Sequence, residues 1–175
     1  MRMTREQFKK DLTILSRVLW RESGEKIIIT NPSEGSGTVF LIGYGKIPFG
    51  IEFENSGSVH LITTEISEGT VFRNAGSVYL EQKEIPKGVV FANDGSITLR
   101  GASYIHGGVK LENSDSILFE NGFPKIAPGV EIKNKGMIIS PDQRGDLFNS
   151  LVDIEGISSQ RVMNFMIGEG LLDRK

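Results

Sequence analysis

The stretch Phe53–Leu61, FENSGSVHL, is written again as FRNAGSVYL at Phe72–Leu80 and as FANDGSITL at Phe91–Leu99, one phrase at a spacing of nineteen residues. Self-similarity at a fixed period of this size marks an architecture of stacked units. If the glycine before each phrase opens a unit, the units begin at Gly50, Gly69, Gly88, Gly108 and Gly129, with spacings of 19, 19, 20 and 21 residues.

Residue types keep their places inside the units. Three positions after the glycine stand Phe53, Phe72, Phe91, Leu111 and Ile132. Nine and eleven positions after it come Val59 and Leu61, Val78 and Leu80, Ile97 and Leu99, and Ile117 and Phe119, with Ile138 and Ser140 in the last unit. An isoleucine closes the spacer at Ile66, Ile85, Ile105 and Ile126. Apolar residues at period two belong to strands, so each unit reads as two short strands. The intervening N-x-G-S is turn chemistry, in which glycine favours positive φ, and the spacer's proline or glycine marks a second corner. One unit is then one turn of a coil. Stacked turns place each strand beside its counterpart about 4.8 Å away in parallel register, and the apolar columns fuse into one core.

Five positions after the glycine stand Asn55, Asn74, Asn93, Asn113 and Asn134 without exception. A buried carboxamide needs partners, and an identical amide one turn above and below offers a donor and an acceptor. The column predicts a structural asparagine ladder. Outward columns such as Glu54, Arg73, Ala92, Glu112 and Lys133 alternate in charge, as neighbouring strands favour. His60 shares an outward column with Tyr79 and Thr98, and no aromatic row suitable for stacking sugars stands beyond Tyr79.

A weaker unit precedes the clean ones: KIIITN, an expanded corner PSEGSG, and TVFLIGYGKIP as second strand and spacer, with GYGKIPFG read as a corner followed by the spacer. This makes an all-β parallel solenoid of about six coils over residues 24–140. Its ends need covers. Thr4 and Gln7 have capping-box spacing, and Phe8, Leu12, Leu15 and Leu19 share a helical face, so a capping helix is expected from about residue 4 to 21 within a segment 1–23. Residues 141–175 read as short helices forming a cap or an interaction segment. There Phe165, Met166 and Leu171 are candidate contacts for self-association or a protein partner, since methionine suits an adaptable surface.

Composition bounds function. Twenty basic against twenty-two acidic residues leave a net charge of −2, so no electrostatic footprint for nucleic acid or an anionic membrane exists. Cysteine is absent, which removes disulfides and thiolate chemistry. No stretch approaches the ~20 apolar residues of a membrane span, and the charged N-terminal stretch holds no secretory apolar region. The expected setting is the cytoplasm of a bacterial host or a virion. The two histidines, His60 and His106, occupy different places in their units, and the sequence completes no metal or nucleophile site around either, so neither metal nor cofactor is expected. Asp94 and Asp115 fall near one corner of adjacent coils, the arrangement in which paired carboxylates could serve a carbohydrate-active enzyme. That is the alternative to a non-enzymatic module, since both also suit turns. The tripeptide RGD at Arg144–Asp146 carries no weight at three residues.

The phrase IPKGVVFANDGSITL from Ile85 resembles short repeat proteins of tailed bacteriophages and prophages, in which proline, glycine, aromatic, asparagine, glycine, valine and leucine recur about every twenty residues. The likeness covers residues 47 to 140. It implies a β-solenoid of phage origin and no particular activity.

Overall fold

The computed structural model describes residues 3–14, 18–30, 37–142 and 144. Their arrangement is a parallel β-solenoid behind one N-terminal helix. Helix α1 (Arg5–Ile14) is followed by β1 (Leu19–Ser23) and β2 (Lys26–Thr30), and then by the coils: β3 (Val39–Lys46), β4 (Ile51–Asn55), β5 (Val59–Glu65), β6 (Val71–Asn74), β7 (Val78–Glu81), β8 (Glu84–Ile85), β9 (Val90–Asn93), β10 (Ile97–Arg100), β11 (Tyr104–Ile105), β12 (Lys110–Asn113), β13 (Ile117–Phe119), β14 (Lys125–Ile126), β15 (Glu131–Asn134) and β16 (Ile138–Ile139).

Three sheets form three faces. The first runs β1-β2-β4-β6-β9-β12-β15, the second β3-β5-β7-β10-β13-β16, and the third β8-β11-β14. From β2 to β15 the chain completes about five turns, set by six parallel strands on the first face and six on the second. Register follows the sequence repeat: Phe53 pairs with Phe72, Phe72 with Phe91, Phe91 with Leu111 and Leu111 with Ile132. The core is therefore made of columns. Phe53, Phe72 and Phe91 are wholly buried, their rings stacked at 4.9 and 5.0 Å and tilted by only 1° and 5°. Ring separation thus equals the coil rise, and one aromatic fits above another without adjustment.

The two sets of glycines do different jobs. The openers Gly50, Gly69, Gly88, Gly108 and Gly129 hold φ between 68° and 83°, where L residues are strained. The corner glycines of N-x-G-S were expected to supply positive φ, and Gly76 and Gly95 do not. A Cβ on Gly76 would lie 2.5 Å from the Gly57 carbonyl carbon, and one on Gly95 would lie 2.6 Å from that of Gly76. Close approach of backbone to backbone, not conformational freedom, selects glycine there.

The N-terminal cover is shorter and more mixed than the helix expected over residues 4–21. The Thr4 hydroxyl accepts from the Gln7 amide at 3.2 Å, and Phe8 and Leu12 are buried on the first coil. From Leu19, however, the chain is β1, which pairs antiparallel with β2 through a two-residue turn at Gly24, φ 57°. Leu19 is half exposed rather than packed on a helical face. An antiparallel hairpin strand satisfies the free edge of β2, a need that helical periodicity does not register.

The first half of GYGKIPFG is not a corner either, whereas its second half, Ile47–Gly50, is the expected spacer between β3 and β4. Gly43 and Gly45 lie inside β3, where the register with β5 shifts between Ile42 and Gly45, leaving one extra residue on β3. Opposite this bulge, Thr63 holds φ 49°, an uncommon position for a β-branched residue. The segment 141–175, except Pro141, Asp142 and Arg144, lies outside the described residues, and with it Phe165, Met166 and Leu171.

Candidate functional site

The asparagine corner is built from the spacing N-x-G. Each ladder amide donates one N–H to the carbonyl two residues ahead: Asn74 to Gly76 O at 2.8 Å, Asn93 to Gly95 O, Asn113 to Asp115 O and Asn134 to Gly136 O at 2.7 Å. The second N–H crosses to the next coil, from Asn74 to Asn93 Oδ1 at 2.6 Å, Asn93 to Asn113 at 3.2 Å and Asn113 to Asn134 at 3.0 Å. Asn55 stands outside the chain of amides. Its Nδ2 turns back to Gly37 O at 3.0 Å and Ser58 O at 3.3 Å, and the buried oxygens Asn55 Oδ1 and Asn74 Oδ1 have no donor.

Asp94 and Asp115 occupy the outside of this corner, both exposed. Ser114 Oγ donates to Asp94 Oδ1 at 3.5 Å, and Ser96 Oγ donates to Asp115 Oδ2 at 2.7 Å. The Ser96 hydroxyl and the Ser116 amide hold the Asp115 carboxyl below the usual aspartate value. A general acid needs the opposite environment, one that keeps its proton near neutral pH. Each carboxylate is tied to a serine of the adjacent coil, which is the chemistry of a corner clasp.

The second face carries a feature that the sequence reading missed. Val39 pairs with Val59, so Phe40 stands over His60, and His60 stands over Tyr79. The rings stack at 4.8 and 5.9 Å, so Phe40 joins His60 and Tyr79 in one aromatic column. Aligning Val39 with the valine column would have revealed it. Burial between the rings pushes the His60 imidazole below its ordinary value. His60 has a ring on each of its faces, whereas Phe40, the last ring of the stack, has one on a single face. Beside this column lies a second, Ile42 over Ile62. Phe40 is 52% exposed and Ile42 60%, an apolar patch at the N-terminal end of the rod.

On the first face, Glu52 is buried under two cations: Lys26 Nζ at 2.9 Å and Arg73 Nε at 2.7 Å. Burial raises its pKa, and the two cations outweigh burial and hold it below the ordinary glutamate value. In the column read from Glu54 to Lys133, Lys133 pairs with Glu112 at 3.0 Å, while Arg73 turns to Glu52 and Glu54 is met by Arg21 at 2.9 Å; on the second face Arg100 pairs with Glu120 at 3.5 Å. His106 pairs with Glu84 at 2.9 Å on the third face. Among the described residues, no group of three or more histidines and carboxylates could hold a metal ion, and no helix is long and apolar enough to cross a membrane.

No family model, no curated protein and no solved structure matches the chain.

Proposed function

We propose that the protein is a non-enzymatic interaction module, a rigid β-solenoid that joins a second copy of itself through its N-terminal end. The observation that carries this reading is the edge of the second face. Strand β3 ends that sheet, and among the described residues no strand pairs with its far side. Its outward side chains Phe40 and Ile42 are the exposed ones. A sheet edge flanked by exposed apolar side chains is a template for strand pairing, and an isologous contact is the commonest closed solution. Antiparallel pairing of two β3 strands about Leu41 sets Phe40 of one copy opposite Ile42 of the other, the kind of cross-strand apolar pair that stabilises sheets. Phe165, Met166 and Leu171 remain proposed contacts for a further protein partner, and the resemblance to repeat proteins of tailed phages extends the proposal to a virion part or an intracellular phage factor.

Light scattering across a concentration series tests the reading. The full chain is expected to be a dimer, and Phe40→Asp with Ile42→Asp a folded monomer, as judged by an unchanged circular dichroism spectrum. A monomer at all concentrations, or a dimer indifferent to both substitutions, overturns it. A dimer dissociated instead by Phe165→Asp assigns the contact to the C-terminal segment.

A further inference from the structure

The core rings Phe53, Phe72 and Phe91 have centroids 4.9 and 5.0 Å apart, close to the coil rise itself, so one coil is set on the next with little sideways shift. Outward columns therefore run along the rod. The middle one of the second face is Phe40, His60, Tyr79, Thr98, Leu118 and Ile139, each the register partner of the next. Over its length of about 24 Å, five steps of about 4.8 Å, it holds no carboxylate, ammonium or guanidinium group. The outward column of the first face, by contrast, is charged at Glu54, Arg73, Glu112 and Lys133.

The two ends of the second face are its apolar parts. Phe40 and Ile42 are exposed at the N-terminal end, and Met137 and Ile139 at the C-terminal end. Contiguous apolar surface of this kind marks a contact rather than a scatter of single side chains. At the centre, the neighbouring column carries Glu81 and Arg100 as register partners. They stand on either side of the midpoint between Tyr79 and Thr98.

We propose that the second face binds the second face of another copy, rods antiparallel, about a two-fold axis that runs along the strands between Tyr79 and Thr98. Each outward column then lies on the same column of the other copy in reverse order. Phe40 meets Ile139, His60 meets Leu118 and Tyr79 meets Thr98, a larger side chain against a smaller one at every level. Glu81 of each copy meets Arg100 of the other, so both central charges are answered. Only a parallel sheet repeats at the same rung spacing, since a helix turns every ~5.4 Å and an extended peptide repeats a side every ~6.8 Å. Three outward columns on six strands bury on the order of 1,000 Å² in both copies together, below the about 1,600 Å² of a standard interface, so the contact is weak. It is separate from the pairing of β3 edges, which leaves the outward side chains on the face. Two two-fold axes at different heights of one rod do not close, so dimers joined face to face grow into an open chain.

The test is sedimentation velocity of the full chain from about 10 μM to about 1 mM. Mass is expected to rise beyond the dimer with concentration. Ile139→Asp, at the opposite end of the face from β3, is expected to stop that rise and leave the dimer. Arg100→Glu sets like charges against each other in both central pairs and is expected to raise the concentration needed about tenfold, and adding Glu81→Arg to it to restore growth. Circular dichroism checks that each variant is folded. No mass beyond the dimer at about 1 mM overturns the proposal, as does growth that Ile139→Asp leaves unchanged or that the charge reversal fails to restore. A stripe covered within its own chain gives no growth and an Ile139→Asp variant less stable to urea, which overturns it too. A chain that is monomeric at about 10 μM yet associates in the same charge-dependent way supports this contact and overturns only the one at β3.

Discussion

Asn74 donates to Asn93 across one coil at 2.6 Å, yet nothing donates to Asn74 Oδ1. The ladder therefore has a first rung, and the cost of removing an amide depends on where it stands. Asn93→Ala strips two donated bonds and one accepted one and strands its neighbours' polar atoms, for an expected loss of about 1–3 kcal/mol. Asn55→Ala removes two bonds to carbonyls and also removes an oxygen that had no partner, so it should cost less. Urea denaturation of the two variants measures the difference, and equal losses would remove the ladder as the cause.

Phe72 is stacked on both sides and Phe53 on one. Aromatic pairs contribute about 0.5–1.5 kcal/mol each beyond burial, so Phe72→Leu is expected to destabilise more than Phe53→Leu by one such pair. Thermal and urea unfolding of both variants provide the check.

Alanine at the two glycine sets should separate clash from strain. Gly76→Ala forces a Cβ to 2.5 Å from backbone of the preceding coil, which must part the coils. Gly88→Ala meets nothing nearer than 3.9 Å and carries only the left-handed φ of 70°, worth about 1–2 kcal/mol. The expected order of stability is wild type, then Gly88→Ala, then Gly76→Ala. The reverse order would mean that coil separation is cheap.

Two ionisable groups set pH dependence in the same direction. The cations around Glu52 lower its folded pKa, so its contribution is present above the unfolded value near 4.5 and is lost as pH falls through the folded one. Glu52→Gln should flatten the acid limb of stability below about pH 4.5.

His60 is also depressed, by burial, from 6.5. The unfolded chain therefore binds more protons between the folded value and 6.5, and stability rises with pH across that window. His60→Phe keeps the stack and is expected to lose this slope. Unfolding midpoints of both proteins at about pH 7.5 and 5.5 decide it.

The solenoid was legible because its defining interactions repeat. Period-two columns such as Val59, Val78 and Ile97 report burial directly, and an invariant asparagine reports a polar group that stacking alone can satisfy. The failures fall where the repeat degenerates. Leu19 matches a helical face, but the open edge of β2 demands a strand there, and an edge leaves no periodic trace. Gly43 and Gly45 look like a turn because a bulge uses the same residue. Phe40 went unread for the same reason, since the first coil is out of step with the others. Gln82, whose Oε1 accepts from the Ile66 amide of the preceding coil, was invisible for a different one: a side chain replacing a backbone acceptor has no pattern to match.

Because Phe53, Phe72 and Phe91 sit one coil apart on identical footprints, the cross-section does not depend on how many coils there are. A duplication of the nineteen residues from Gly69 to Lys87 inserts one more layer and lengthens the rod by about 4.8 Å, leaving every other layer as it was. Length is then heritable in whole steps, and such a molecule can serve as a ruler, its gauge set by the count of a phrase in the sequence.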